Sequence, residues 1–343
     1  MLLARRAQDK ATMFEVIFLG TSASTPSIQR GLSAHMILHR QYRFLIDCGE
    51  GTQRQILRSG LGFRGLNKIL LTHSHLDHIL GLGGLLSTLG RWEALEQIDI
   101  YAGQAALDRV ADLIFRVVWR GARPPVAINL VPLAPGSVIV EDDKFCLSAF
   151  PVSHRGSDCF GFLFEEKSRR PFLAEKAAAL GVPFGPERAR LVQGEVVTLP
   201  DGRLIRPEDV LGETIRGTRY VHIGDVGRTS DLLDVCQDAD AITIEATYLD
   251  EDADMARQFG HLTAGRAAHL ARQANARSLL LTHISRRYHD VLVRNEAQLV
   301  FPQTYVARDY DHFQITREGT TRLANRRHGY EMGSAAADWE GSA

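Results

Sequence analysis

The chain is short of the features that would assign it to a specialised class. Its 343 residues contain four cysteines, Cys48, Cys146, Cys159 and Cys236, and no two form a C-x-x-C pair. Thiols this widely spaced suit free cysteines of a reducing cytosol better than a disulfide framework, so a cytoplasmic protein is expected. No apolar run approaches membrane-spanning length. The segment Met1–Met13 carries basic residues but lacks the continuous apolar stretch of a signal peptide. An excess of charge is missing as well: Lys and Arg number 40 against 41 Asp and Glu, a formal net charge of −1. That balance does not advertise a nucleic-acid binder. A polyanionic partner would need charge segregated to one face, or metal ions where its phosphate sits.

What is present is a core and a concentration of histidine. With 45% hydrophobic residues the chain can bury one large domain or two. Residues 1–12 read as a disordered extension, with Met13 an alternative start, and 326–343 as an aperiodic, disordered tail. Residues 13–325 hold the folded part. Within it, His73-Ser74-His75-Leu76-Asp77-His78 packs three imidazoles and a carboxylate into six residues. They directly follow the apolar stretch Lys68–Thr72, which reads as a buried strand, so the cluster sits where open α/β sheets place ligands. Imidazole and carboxylate are the ligands zinc and related transition metals prefer. One ion needs only three such groups and water, so four together point to two ions. A pair needs further ligands at later strand ends. His154 follows 146–153, Asp225 ends 220–224, and His283 ends 278–282.

Element order gives a coarse fold. Strands are expected at 14–19, 33–38, 44–47, 69–71 and 98–101, with helices at 52–59 and 104–118 and further strands over 127–150. The second half alternates strand 220–223, helix 230–238, strand 241–245, helix 263–274 and strand 278–282. Alternation alone is equally compatible with a doubly wound sheet.

The pattern H-x-H-x-D-H with a later His, Asp and His resembles the metal signature of the metallo-β-lactamase superfamily. The resemblance sharpens to the ribonuclease Z family through Phe18-Leu19-Gly20-Thr21-Ser22-Ala23-Ser24-Thr25-Pro26, Leu45-Ile46-Asp47-Cys48-Gly49-Glu50-Gly51-Thr52-Gln53, Glu245-Ala246-Thr247, His261-Leu262-Thr263 and Leu281-Thr282-His283-Ile284-Ser285-Arg286-Arg287-Tyr288. It runs from about Phe14 to about Ile315. It implies an α/β fold, a four-layer αβ/βα metallo-β-lactamase sandwich, and an endonuclease that removes the 3′ trailer of precursor tRNA near the discriminator base. The products would be a tRNA 3′-hydroxyl and a trailer 5′-phosphate. His73, His75 and His154 would hold one divalent ion, and Asp77, His78 and His283 another, with Asp225 bridging. Zinc is the first choice, and manganese or cobalt would accept the same ligands. Asp77 would also orient the attacking water or take its proton, Asp47 would orient a metal-binding histidine, and His261, oriented by Glu245, would protonate the leaving oxygen. Two positions depart from the family pattern: Ile244 stands where relatives often have His, and Leu262 where Ser or Met is usual.

The stretch from about 165 to 210 is irregular, rich in charge of both signs, and marked by Gly181-Val182-Pro183-Phe184-Gly185-Pro186. It resembles the protruding tRNA-binding arm of the family. Lys176, Arg188 and Arg190 within it, with Arg286 and Tyr288 beside His283, are candidate RNA contacts. The resemblance further implies a homodimer and no membrane association. A small-molecule (cyclic) phosphodiesterase or other hydrolase of the same superfamily would use the same metals, but is expected to lack both the arm and the Glu245/His261 pair.

Overall fold

The computed structural model describes residues 13–91, 95–156 and 158–324. The proposed extension 1–12 and tail 326–343 lie outside the described residues.

Two mixed sheets face each other. The first holds β1 (Phe14–Gly20), β2 (Ala34–His39), β3 (Tyr42–Ile46), β4 (Lys68–Leu70), β5 (Gln97–Ala102) and β6 (Ala127–Pro132). The second begins with β7 (Val138–Glu141), β8 (Phe145–Pro151) and β9 (Phe160–Glu166). A short hairpin of β10 (Val197–Thr198) and β11 (Leu204–Ile205) intervenes. Then come β12 (Arg219–His222), β13 (Ala241–Glu245), β14 (Leu279–Thr282) and β15 (Thr304–Val306). The chain finally returns to the first sheet as β16 (His312–Thr316) and β17 (Gly319–Leu323). The orders are β17-β16-β1-β2-β3-β4-β5-β6 and β15-β14-β13-β12-β9-β8-β7.

Phenylalanine drives the contact between the sheets. Phe14, Phe18 and Phe44 from one meet Phe145, Phe162, Phe164 and Tyr220 from the other in a single buried cluster. Each outer face is covered by helices, and strands buried on both faces read as near-continuous apolar runs. On the first sheet lie α1 (Thr52–Arg58), α2 (Leu76–Ile79), α3 (Leu82–Arg91) and α4 (Gln104–Ala111). The segment between β9 and β12 carries α5 (Ala174–Ala179), α6 (Pro186–Val192) and α7 (Pro207–Val210). Next come α8 (Leu233–Cys236), the short α9 (Ala253–Phe259), α10 (Ala264–Gln273) and α11 (Asp290–Val300), of which α8, α10 and α11 cover the second sheet. The four-layer sandwich is therefore the fold. The expected continuous helix over 104–118 changes after α4 into a π-helical stretch, Asp112–Val118.

Strand direction gathers the site. β3 and β4 run parallel, as do β12, β13 and β14, while β8 is antiparallel to β9 and β9 to β12. The carboxyl ends of β8, β12, β13 and β14 therefore share one edge, and the loops leaving them meet those leaving β3 and β4.

The insertion between β9 and β12 is more ordered than its sequence indicates. Ala177, Val182, Leu191, Val197, Leu199, Ile205 and Val210 form a small core of their own. It is tethered through antiparallel bridges Arg169–Ile215 and Phe172–Leu211, so it extends slightly past the expected limit of 210. No helix among the described residues is long and apolar enough to cross a membrane.

Candidate active site

The structure brings the histidine motif and the three later residues to one place. His73 and His75 lie in the loop after β4, whereas Asp77 and His78 sit on the one-turn helix α2, where only a loop was expected. Donor atoms of His73, His75, His154 and Asp225 lie within 4.8 Å of one another, and so do those of Asp77, His78 and His283. Asp225 stands between the two sets. Its Oδ2 is 3.7 Å from His73 Nε2, 3.5 Å from His78 Nε2 and 3.9 Å from His154 Nε2, and its Oδ1 is 3.4 Å from His283 Nε2. His283 Nε2 is also 3.4 Å from Asp77 Oδ2.

These residues fit metal ions. Donors bound about 2.0–2.1 Å from a tetrahedral ion lie roughly 3.4 Å apart, near the separations found here. The Nε2 atoms of His73 and His78 and Oδ1 of Asp225 are buried without a hydrogen-bond partner. Buried polar atoms are ordinarily satisfied, and a cation at their convergence supplies what is missing. Burial holds His73 well below the usual imidazole range, helped by the neighbouring His78, which keeps it a neutral ligand. His78 moves the other way: burial opposes its protonation, but Asp225 and Asp47 on either side outweigh burial. That spot favours positive charge, as a proton or as a metal ion.

Groups behind the cluster fix the rings. Asp47 accepts from His78 Nδ1 at 2.7 Å and, through its two oxygens, from the amide and hydroxyl of Thr72. Thr72 Oγ1 lies 2.9 Å from His73 Nδ1. A carboxylate can only accept, so the hydroxyl proton goes to Asp47 and the imidazole donates to the hydroxyl. Nε2 of both rings is thereby left as the ligand atom. His154 Nδ1 donates to the Gly260 carbonyl at 2.8 Å with the same result. Asp47 and His283 both leave their strands with positive φ, 58° and 54°. Such a conformation is sparsely populated by side-chain-bearing residues and clusters at functional sites. Gly224, just before Asp225, packs directly on Thr72: an added Cβ would stand 2.8–2.9 Å from Thr72 Oγ1, Cβ and Cγ2.

Glu245 and His261 adjoin the cluster. His261 Nδ1 is 3.0 Å from each oxygen of the fully buried Glu245. Burial alone would lower the His261 pKa, but the charge of Glu245 and its hydrogen bonds raise it to about 9. Ile244 and Leu262, the two departures from the family pattern, both point into the apolar core behind the site.

Sequence reasoning missed three groups. Thr72 and Thr247 bridge carboxylates to imidazoles, and their signal was only that each stands beside or two residues from a motif residue. The amide of Ser24, in the turn after β1, donates to Asp77 Oδ2 at 2.9 Å, a contact no sequence pattern announces.

The candidate RNA contacts scatter. Arg188 stacks on Phe184, its Cζ 3.6 Å from the ring centroid, and donates to the carbonyls of Val182 and Pro183. Arg190 pairs with Glu195 at 2.8 Å. Tyr288 donates to Asp252. Lys176 and Arg286 are exposed.

Known proteins resemble this chain in sequence and fold. A family model described as Beta-lactamase superfamily domain matches residues 183–284, and one described as Anti-Pycsar protein Apyc1 matches residues 14–120. The chain is 47% identical over 303 residues to a ribonuclease Z of Bradyrhizobium diazoefficiens, covering 88% of this chain and 100% of that one. It is 39% identical over 310 residues to a ribonuclease Z of Listeria innocua, covering 88% and 99%. Among solved structures, the short form of human tRNase Z superposes with a TM-score of 0.59 at 25% identity, covering 87% of this chain and 98% of that one. The metallo-beta-lactamase fold protein YhfI from Bacillus subtilis superposes with a TM-score of 0.63 at 16% identity over 88% and 99%, a likeness of fold alone.

Proposed function

The chain belongs to the ribonuclease Z family, and from that premise we propose how its residues carry out the reaction. It is an endoribonuclease, a phosphodiester hydrolase that processes the 3′ end of tRNA. The observation that carries the mechanism is the pair of donor sets meeting at Asp225 with an acid–base pair beside them.

In this reading His73, His75 and His154 would hold one divalent ion and Asp77, His78 and His283 a second, with Asp225 available to both. Zinc suits this imidazole and carboxylate set, and manganese or cobalt would also be accepted. Ions bound there supply Lewis acidity, acidifying water and neutralising charge on the oxygens around phosphorus. Asp77, held by the Ser24 amide, orients the attacking water and takes its proton. Attack in line forms the new oxygen–phosphorus bond as the bond to the ribose 3′-oxygen breaks. His261 gives that oxygen its proton. With Nδ1 engaged by Glu245, Nε2 is the nitrogen able to donate, and a pKa near 9 keeps the ring charged at neutral pH. The tRNA keeps a 3′-hydroxyl and the trailer leaves with a 5′-phosphate, cut next to the discriminator base.

The inserted unit serves as the tRNA-gripping arm, a reading supported by its separate core and its Gly-Pro-rich loop. The folded nuclease unit spans 13–325 with this arm inserted, acts in the cytoplasm, and works as a homodimer in which one subunit's arm presents tRNA to the other's site. The test is incubation with precursor tRNA bearing a 3′ trailer, with and without chelator, and mapping of the new ends. Chelator-sensitive cleavage beside the discriminator base is expected. No cleavage by folded, metal-loaded protein would overturn the reading.

A further inference from the structure

Glu245 does more than face His261. Its Oε1 accepts the amide of Val226 at 2.6 Å, next to Asp225, and its Oε2 accepts the hydroxyl of Thr247 at 2.5 Å. Thr247 Oγ1 in turn lies 2.9 Å from His283 Nδ1. A hydroxyl has one proton. The His283 carbonyl, 3.0 Å from Thr247 Oγ1, is the longer and uncharged alternative, so the carboxylate takes the proton and the imidazole donates its own. Glu245 and Thr247 are both buried. The arrangement repeats the one on the opposite sheet, where Asp47 holds His78 directly and His73 through Thr72. Here one carboxylate holds His261 directly and His283 through Thr247.

We infer that Thr247 is a positioning residue that links the ligand set of His283 to the Glu245–His261 pair. It fixes His283 with Nε2 toward Asp77 and Asp225. It also donates to Glu245 Oε2, one of the two oxygens that face His261 Nδ1, while Val226 holds the other. Retention of the ion at His283 and the readiness of His261 to donate are therefore controlled by one hydroxyl. The inference rests on the proposed roles of these two histidines. It predicts a double defect from a residue that touches neither substrate nor metal, since removing a hydrogen-bond partner behind a ligand weakens metal affinity or activity about 10–100-fold.

The test compares Thr247→Val, of nearly the same shape without the hydroxyl, with Thr247→Ser, which keeps it. Thr247→Ala serves as a second hydroxyl-free variant should valine not fold. The first readout needs no RNA: the rate at which a chelator strips metal from the purified, folded protein, with metal per chain measured over time. Part of the metal is expected to leave about 10–100-fold faster from the hydroxyl-free variants and at the unmodified rate from Thr247→Ser. The second readout is the ratio of precursor-tRNA cleavage to hydrolysis of an aryl phosphodiester, whose leaving group needs no proton, under saturating metal. Hydroxyl-free variants should lose more on RNA than on the aryl ester. Unchanged metal loss, or equal loss on both substrates, would overturn the link. Failure of the unmodified protein to cut precursor tRNA would instead remove the functional reading while leaving the stripping result intact.

Discussion

The active site and the arm are built on opposite terms. At the site the supporting carboxylates are fully buried and answered by named partners, Asp47 by three donors and Glu245 by three, while His154 is fixed by a backbone carbonyl. The arm rests on a core of seven small and medium apolar residues, and its charges pair locally at the surface, as Arg190 does with Glu195 and Arg203 with Asp201. Surface pairs of that kind contribute about 0–1 kcal/mol each, whereas a buried group left without its partner costs about 1–3 kcal/mol. The difference teaches that chemistry here depends on position fixed to tenths of an ångström, while the inserted unit presents a surface that tolerates exchange of individual residues.

Substitutions of graded size sharpen this contrast. Asp77→Ala should lower cleavage of precursor tRNA and hydrolysis of a small phosphodiester alike, on the order of 10²–10⁴-fold in kcat/KM; an undiminished rate on either removes Asp77 from the chemistry. His261→Ala should cost about 10²-fold on RNA and far less on an aryl phosphodiester, and equal losses would make its role structural. Replacing residues 171–211 with a short glycine-serine link should reduce tRNA processing about 10²-fold, the scale on which lost positioning acts. Hydrolysis of the small ester should survive, because the excised core is separate from the three of the sandwich. Loss of both activities in a folded, metal-loaded variant would end the distinction between the two regions. Arg188→Ala removes a stack and two carbonyl contacts and should weaken the arm by about 1–2 kcal/mol, seen as faster proteolysis within 180–195. Smallest of all, Lys176→Ala should raise KM about twofold and flatten the salt dependence of RNA binding by roughly one charge. A tenfold rise would make it an anchor.

The chemistry was far more legible in the sequence than its supports. Metal-ligand types crowded after an apolar strand stand out because few other uses exist for three histidines and an aspartate in six positions. His154, Asp225 and His283 could be matched to strand ends one by one. Thr72 and Thr247 could not, since a threonine beside a histidine is commonplace and only tertiary packing brings its hydroxyl under a second residue's carboxylate. The same holds for Ser24, whose contribution is a backbone amide. In the arm, helices of four to seven residues hold too few turns to show periodicity, so α5, α6 and α7 read as an irregular stretch. The helices α3 and α11 and the strands β15 to β17 also went unassigned. Arg188 shows the converse limit: a candidate RNA contact also stacks on Phe184 and holds the carbonyls of Val182 and Pro183, which the sequence does not announce.

The contact between Gly224 and Thr72 sets the gauge of the whole site. It is a point where the ends of the two sheets touch, one carrying His73 and the other Asp225, and a single missing carbon lets them come this close. Alanine at 224 would collide with the Cβ of Thr72 as well as with its hydroxyl and methyl, so no rotation of the threonine relieves it. The strand ends would have to spread, and every donor on one side would retreat from every donor on the other in a single step. An atom that is absent, one residue away from a proposed ligand on each sheet, thus acts as a spacer between the donors of the two sides.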